Sequence, residues 1–251
     1  MSGHLSAVRH LHLLNGYHDP LSGRERISLA KRGLAKQSAP SELRAAVTNA
    51  HIRCFFDLVL LSDFDDAAFY AMCCLGYFGF LRVSELTYLA NSPLASDFLT
   101  PADLSWSPGK LTVLLRRSKG DPLRQGVQIV IGGNDSPVCA LKAVQHYLNL
   151  RSTLLPNCDP ATTPLFLDKG GSAISKSTFS GRLAELAAAV GVEGKVTPHS
   201  LRIGAATAAW RAGFSDSQIQ ALGRWKSRAF MRYLRMDADS IARLNARLGN
   251  V

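Results

Sequence analysis

Residues 110–133 read KLTVLLRRSKGDPLRQGVQIVIGG, and here the middle of the chain leaves a helical period. KLTVLLRR and GVQIVIGG alternate toward strand, and Gly120-Asp121-Pro122 between them carries turn signals, so the stretch predicts a β-hairpin. ADLSW, residues 102–106, offers a third strand just before it. On both sides the pattern is helical. Helices are expected over residues 41–61 and 65–76, with Gly79 breaking the second before FLRVSELTYLA (80–90) restarts one. After the hairpin come VCALKAVQHYLNLRS (138–152), KSTFSGRLAELAAAVG (176–191), HSLRIGAATAAWRAG (199–213), SDSQIQALG (215–223), SRAFMRYLR (227–235) and DADSIARLNARLG (237–249). Ser215 and Ser227 stand where N-caps belong. Helices, a small antiparallel sheet and helices again predict an α+β domain that is mainly helical.

The first 37 residues differ. They hold a short amphipathic helix (SAVRHLHLL) and a basic one (ERISLAKRGLAK), with six basic residues against two acidic ones. So few residues bury no core of their own. They read as a basic arm, residues 1–37, ahead of one large domain, residues 38–251. Composition supports a packed domain, with 47% hydrophobic and 19% charged residues in 251, which excludes disorder. The longest apolar run, residues 67–81, falls short of the roughly 20 residues of a membrane span and reads as a buried core helix. The N-terminus shows no signal-peptide pattern, and five cysteines without a C-x-x-C pair fit a reducing compartment, cytoplasm or nucleus. A metal site from His10, His12 and His18 lacks any acidic or Cys partner, and a basic amphipathic helix explains the spacing better.

The net charge of +10 is mostly arginine, whose planar fork suits phosphate, so the composition leans toward a nucleic-acid partner. From Lys195 onward ten basic residues face three acidic ones. That surplus surrounds the side chains with most chemical content. His199 and Arg202, three apart at a helix start, project to one side and can share a phosphate, although taken alone His199 reads first as a capping residue. Tyr233 follows Trp225 on a short segment among Arg228, Arg232 and Arg235, where its phenol is a candidate nucleophile or a core residue beside Phe230 and Leu234. Arg82 closes the apolar run and must be paired or aimed at a ligand, with Glu85 placed to orient it. Lys119 at the hairpin turn is a candidate only if it has a partner in space.

In this order, R-x-x-E-L after a Gly-containing apolar helix, a hairpin lysine, H-x-x-R, G-x-W and a following tyrosine resemble the catalytic domain of the tyrosine recombinases, or phage-type integrases. The resemblance runs from about residue 38 to 251, looks closest to the Cre-like branch and to DIRS and Crypton mobile elements, and makes the arm similar to the end of a core-binding domain. It implies a site-specific recombinase that cuts and rejoins DNA through a 3′-phosphotyrosyl link. Tyr233 would attack the phosphate while Arg82 and Arg202 clamp its oxygens. His199 and Trp225 would add donors, Lys119 would protonate the leaving oxygen, and Glu85 would support the arginine. Arg117, Arg224, Lys226, Arg228 and Arg232 would contact DNA. No metal or cofactor is implied, since fixed cations take the part of Mg²⁺. The partners implied are double-stranded DNA and further copies of the chain, four on two duplexes, with no membrane. The tyrosine stands eight residues after Trp225, where the family usually has nine. Two other readings stay open: a domesticated DNA-binding protein without catalysis, and a type IB topoisomerase-like relaxing activity.

Overall fold

The computed structural model describes residues 2–37, 43–88, 98–118, 121, 123, 125–234, 241–242 and 245–246. It divides into two compact units, residues 1–43 and 44–251. The smaller holds helices α1 (Ser2–Leu14) and α2 (Glu25–Gln37), with an Arg9–Asp19 ion pair of 2.7 Å at the turn after α1.

The larger unit is built on α4 (Phe64–Phe78), in which every residue from Ala67 to Tyr77 is buried. Its ends explain its length. The Asp63 carboxylate caps the start, accepting from the N–H groups of Asp65 and Asp66 at 3.0 Å, and Gly79 closes the end. A 15-residue helix without a polar face has no solvent side, so neighbours must enclose it. Helices α3 (Asn49–Leu58), α6 (Ala140–Leu154) and α8 (His199–Arg211) pack directly on α4, and α7 (Lys176–Ala189) reaches it through the Phe69–Phe179 ring contact. Among the described residues no helix is long and apolar enough to cross a membrane.

The strands form one antiparallel meander in the order β1 (Leu104–Ser107), β2 (Lys110–Leu115), β3 (Val127–Gly132). Alternation fixes the register. Leu111 faces Ile131 and Val113 faces Ile129, all four buried, while Thr112 opposite Val130 lies on the other face. The fold is therefore α+β and mainly helical, as the pattern predicts.

Three expected helices come out differently. The helix expected over 41–61 is confined to α3, because Thr48 caps it in a reciprocal box with His51. Residues 44–48 run extended instead, the N–H groups of Ala45 and Val47 donating to the carbonyls of Lys195 and Ser200 at 3.0 Å. The helix after Gly79 is a single turn, α5 (Val83–Leu86). SRAFMRYLR tightens into a 3₁₀ segment, Arg228–Tyr233, started by Ser227. Helix α9 (Asp216–Gly223) is capped by Ser215 as expected. Lys119, the turn residues Gly120 and Pro122, and nearly all of the 237–249 tail lie outside the described residues.

Candidate active site

Four chain segments meet at one cleft of about 530 Å³, whose walls include Arg82, His199, Arg202, Arg224, Trp225 and Tyr233. The turn after α4 supplies Arg82, the first turn of α8 supplies His199 and Arg202, the turn after α9 supplies Arg224 and Trp225, and the 3₁₀ segment supplies Tyr233. Small residues let these segments approach. At Gly204 a Cβ would fall 1.7 Å from the Val47 carbonyl oxygen, and at Gly223 one would fall 1.8 Å from the Trp225 ring.

Arg202 is 1% exposed. Its two terminal nitrogens donate to the carbonyls of Phe80 and Gly223, and its guanidinium lies 4.4 Å from the centre of the Trp225 ring. Burial first, then the charges of Arg82 and Arg224, push its pKa down to about 9, which still leaves it charged at neutral pH. Phe80 reaches this acceptor position through a left-handed backbone, φ 48°.

Glu85 is the hub. Its side chain is 4% exposed, with Oε1 accepting from Arg82 Nη1 at 2.8 Å and from Ser118 Oγ at 3.1 Å. Oε2 accepts from the Arg82 backbone N–H and from Arg224 Nη2, both at 2.8 Å. Ser118, which nothing in the sequence singled out, is thereby tied to both Glu85 and Arg82; its only signal was a hydroxyl next to Lys119 on the hairpin. Exchanging Glu85 for Leu strips from two largely buried guanidiniums the one carboxylate that they share among the described residues. The expected loss is about 3–5 kcal/mol of stability, read from urea unfolding; a variant within about 1 kcal/mol of the parent sinks the hub assignment.

Tyr233 stands edge-on to His199, ring centres 4.7 Å apart, and 5.6 Å from Trp225. The Thr207 hydroxyl of α8 shares its one proton between the Ile203 carbonyl at 2.9 Å and the Tyr233 carbonyl at 3.1 Å, linking the 3₁₀ segment to the helix that carries His199 and Arg202. The other tyrosines have different surroundings. Burial raises the Tyr70 phenol and pushes those of Tyr77 and Tyr147 up to about 12, while Tyr88 packs on Phe98 and Tyr17 lies in the smaller unit. Only Tyr233 lines the cleft with the guanidiniums.

Among the described residues the cleft therefore holds three guanidiniums and Lys226, with the Glu85 carboxylate behind two of the guanidiniums, beside a phenol, which suits a phosphate oxyanion next to a nucleophile. Residues 99–239, more than half of the chain, match the phage integrase family. The chain belongs to that family. Among solved structures, this integrase-family chain is similar to the XerH site-specific recombinase bound to palindromic difH substrate in a post-cleavage complex. There the TM-score is 0.61 and the identity 16%, over 83% of this chain and 54% of XerH. It is similar also to the XerA recombinase (TM-score 0.60, 23% identity, 84% of this chain and 65% of XerA). A third is the Tn1549 transposon integrase in complex with transposon right end DNA (0.57, 19%, 84% and 68%). These likenesses concern the fold, and the chain spans less than two thirds of XerH and of XerA. No curated protein matches it in sequence.

Of the side chains expected on DNA, Arg117, Lys226, Arg228 and Arg232 are exposed, whereas Arg224 turns inward to Glu85. Arg116, beside Arg117, is held at 2.6 Å by Asp103.

Proposed function

We propose that this protein is a site-specific DNA recombinase that cleaves and rejoins duplex DNA through a tyrosyl phosphodiester. The observation that carries the reading is the phenol of Tyr233 at the edge of a cleft whose described cations, Arg82, Arg202, Arg224 and Lys226, outnumber the Glu85 carboxylate that pairs two of them. The Tyr233 oxygen attacks phosphorus in line, forming the P–O bond to tyrosine as the P–O5′ bond breaks. The products are a 3′-phosphotyrosyl link and a free 5′-hydroxyl. Because bond energy is kept in that ester, a second DNA end can reverse the step.

Arg82 and Arg202 hold the two non-bridging oxygens, and their fixed charge offsets the negative charge that grows on them, each contributing about 10²–10³ in rate. His199, beside the phenol, accepts its proton, and the Trp225 indole N–H adds a donor to the same phosphate. Lys119 protonates the departing 5′ oxygen in this scheme. Exposed Arg117, Lys226, Arg228 and Arg232 neutralise flanking phosphates, the basic segment of residues 1–37 adds contacts to the duplex, and four copies act on two duplexes.

The test is trapping. A pool of nicked duplexes with randomised sequence is incubated with the protein, and detergent-resistant adducts are digested and mapped by mass spectrometry. A nucleotide on Tyr233 is expected. An adduct on another residue, or salt-sensitive DNA binding with no adduct, replaces this reading by that of a DNA-binding protein with the same fold.

A further inference from the structure

We infer that Ser118 is a positioning residue of this site: its hydroxyl ties the root of the connection between β2 and β3 to the Glu85–Arg82 pair and so sets where the chain presents Lys119. The inference rests on the strand-transfer reading above, which gives Lys119 the leaving oxygen to protonate. The hairpin ladder ends at the Leu115–Val127 pair, so residues 116–126 lie beyond the strand pairing. A connection of that length samples many conformations unless side chains restrain it. Ser118 is 7% exposed, although Arg117 just before it is exposed. Its hydroxyl donates to Glu85 Oε1 at 3.1 Å and accepts from Arg82 Nη1 at 3.3 Å, so it is used as donor and as acceptor.

Two further bonds close the chain around the same point. The Asp121 N–H donates to the Ser118 carbonyl at 2.9 Å, and the Asp121 carboxylate accepts from the Gly126 N–H at 2.7 Å. Ser118 thereby anchors the connection at the cleft and Asp121 anchors it to the approach of β3, with Lys119 between them in sequence. Consecutive Cα atoms lie about 3.8 Å apart, so fixing Ser118 confines the origin of the lysine side chain. The fold itself does not depend on this hydroxyl. Without it Glu85 still accepts from the Arg82 side chain and main chain and from Arg224, so no buried carboxylate is stranded. What the serine adds is a common reference. Glu85 Oε1 accepts both from the guanidinium that would hold the phosphate and from the residue next to the lysine that would protonate its leaving oxygen. A general acid must come within hydrogen-bond reach of that oxygen, and a misplacement of about 1 Å costs about 10² in rate.

On a duplex captured by the parent protein, Ser118→Ala is expected to form the tyrosyl adduct about 10²-fold more slowly while melting within about 4 °C of the parent. Replacing the bridging 5′ oxygen at the cleavage point by sulfur tells which partner the serine serves. The sulfur leaves as a thiolate and needs no proton, so a defect that acts through Lys119 is expected to shrink at least about tenfold on this linkage. An equal defect on both linkages means that Ser118 acts through Arg82, and parental rates on both mean that it positions nothing; either result overturns the assignment. Should Ser118→Ala unfold, Ser118→Cys keeps the volume with a weaker donor and is expected to show the same dependence on linkage, whose absence overturns the assignment equally. Hydrogen exchange reads the anchor without DNA. In the free protein the Asp121 and Gly126 amides are expected to exchange at least about tenfold faster in Ser118→Ala, and unchanged exchange overturns the anchor. Faster exchange there in a protein that forms no tyrosyl adduct supports the anchor and overturns strand transfer instead.

Discussion

Replacing Gly204 by alanine is expected to cost about 3 kcal/mol or more, lowering the melting temperature of a chain this size by roughly 10 °C. The added Cβ would fall 1.7 Å from the Val47 carbonyl oxygen and 2.6 Å from its carbon. Backbone cannot step aside as a side chain can, and Val47 is pinned by its own N–H bond to the Ser200 carbonyl at 3.0 Å. Relief therefore requires the extended 44–48 segment and α8 to part, and α8 carries His199 and Arg202 in its first turn. On the proposed function, the yield of tyrosyl adduct is expected to fall together with stability. Gly181 in α7 provides the control, since a Cβ there meets nothing within 4 Å, and alanine should stabilise that helix by up to about 1 kcal/mol. If Gly204→Ala melts with the parent while Gly181→Ala behaves as stated, the close approach of α8 to Val47 is wrong.

That contact also marks where sequence reasoning stops. The run GAATAA after Arg202 predicts tight packing, but which backbone it packs against depends on residues about 150 positions away. The hairpin was legible because a period of two is local; both of its strands follow from alternation, whereas the strand at Leu104–Ser107 has no alternating burial and was placed only by standing just before them. The helix expected over 41–61 failed because extended residues 44–47 donate their hydrogen bonds to Lys195, before α8, and to Ser200, in its first turn, both long-range partners. Residues that meet at the cleft could be listed from motif order, whereas Ser118 and the Phe80 carbonyl could not. A serine and a main-chain oxygen have no sequence signature until a carboxylate or guanidinium is beside them. Arg224 shows the same limit from the other side. Charge density put it with its exposed neighbours, and a single left-handed residue turned it inward.

Burial accounts for why this cluster is costly to build and rigid once built. Arg202 is enclosed by two carbonyls from different segments and by the Trp225 face, and Glu85 has all its acceptor positions occupied. Such side chains have one rotamer available, so the guanidiniums need no rearrangement when charge develops on a bound phosphate. The same wiring joins α5, α8, α9 and the hairpin end at Ser118 through hydrogen bonds to one carboxylate or one carbonyl. Stability and site geometry are therefore coupled, and most substitutions here will move both.

Tyr233→Phe is the exception. The change removes one oxygen and leaves the ring, so the contacts with His199 at 4.7 Å and Trp225 at 5.6 Å persist. The bond from Thr207 goes to the Tyr233 main-chain carbonyl at 3.1 Å and is indifferent to the side chain. Stability is expected to stay within about 0.5 kcal/mol of the parent. DNA affinity and its dependence on salt should be unchanged, because the exposed basic side chains proposed to meet phosphates are intact. Adduct formation should fall by more than about 10⁴, since no other tyrosine lines the cleft to take over the attack. Denaturant melts, salt-titrated binding and trapping yields on one preparation give the three readings. Retained trapping in the folded Tyr233→Phe protein would place the nucleophile elsewhere, and a collapse of stability would mean that the hydroxyl holds the 3₁₀ segment in place and is not free to attack.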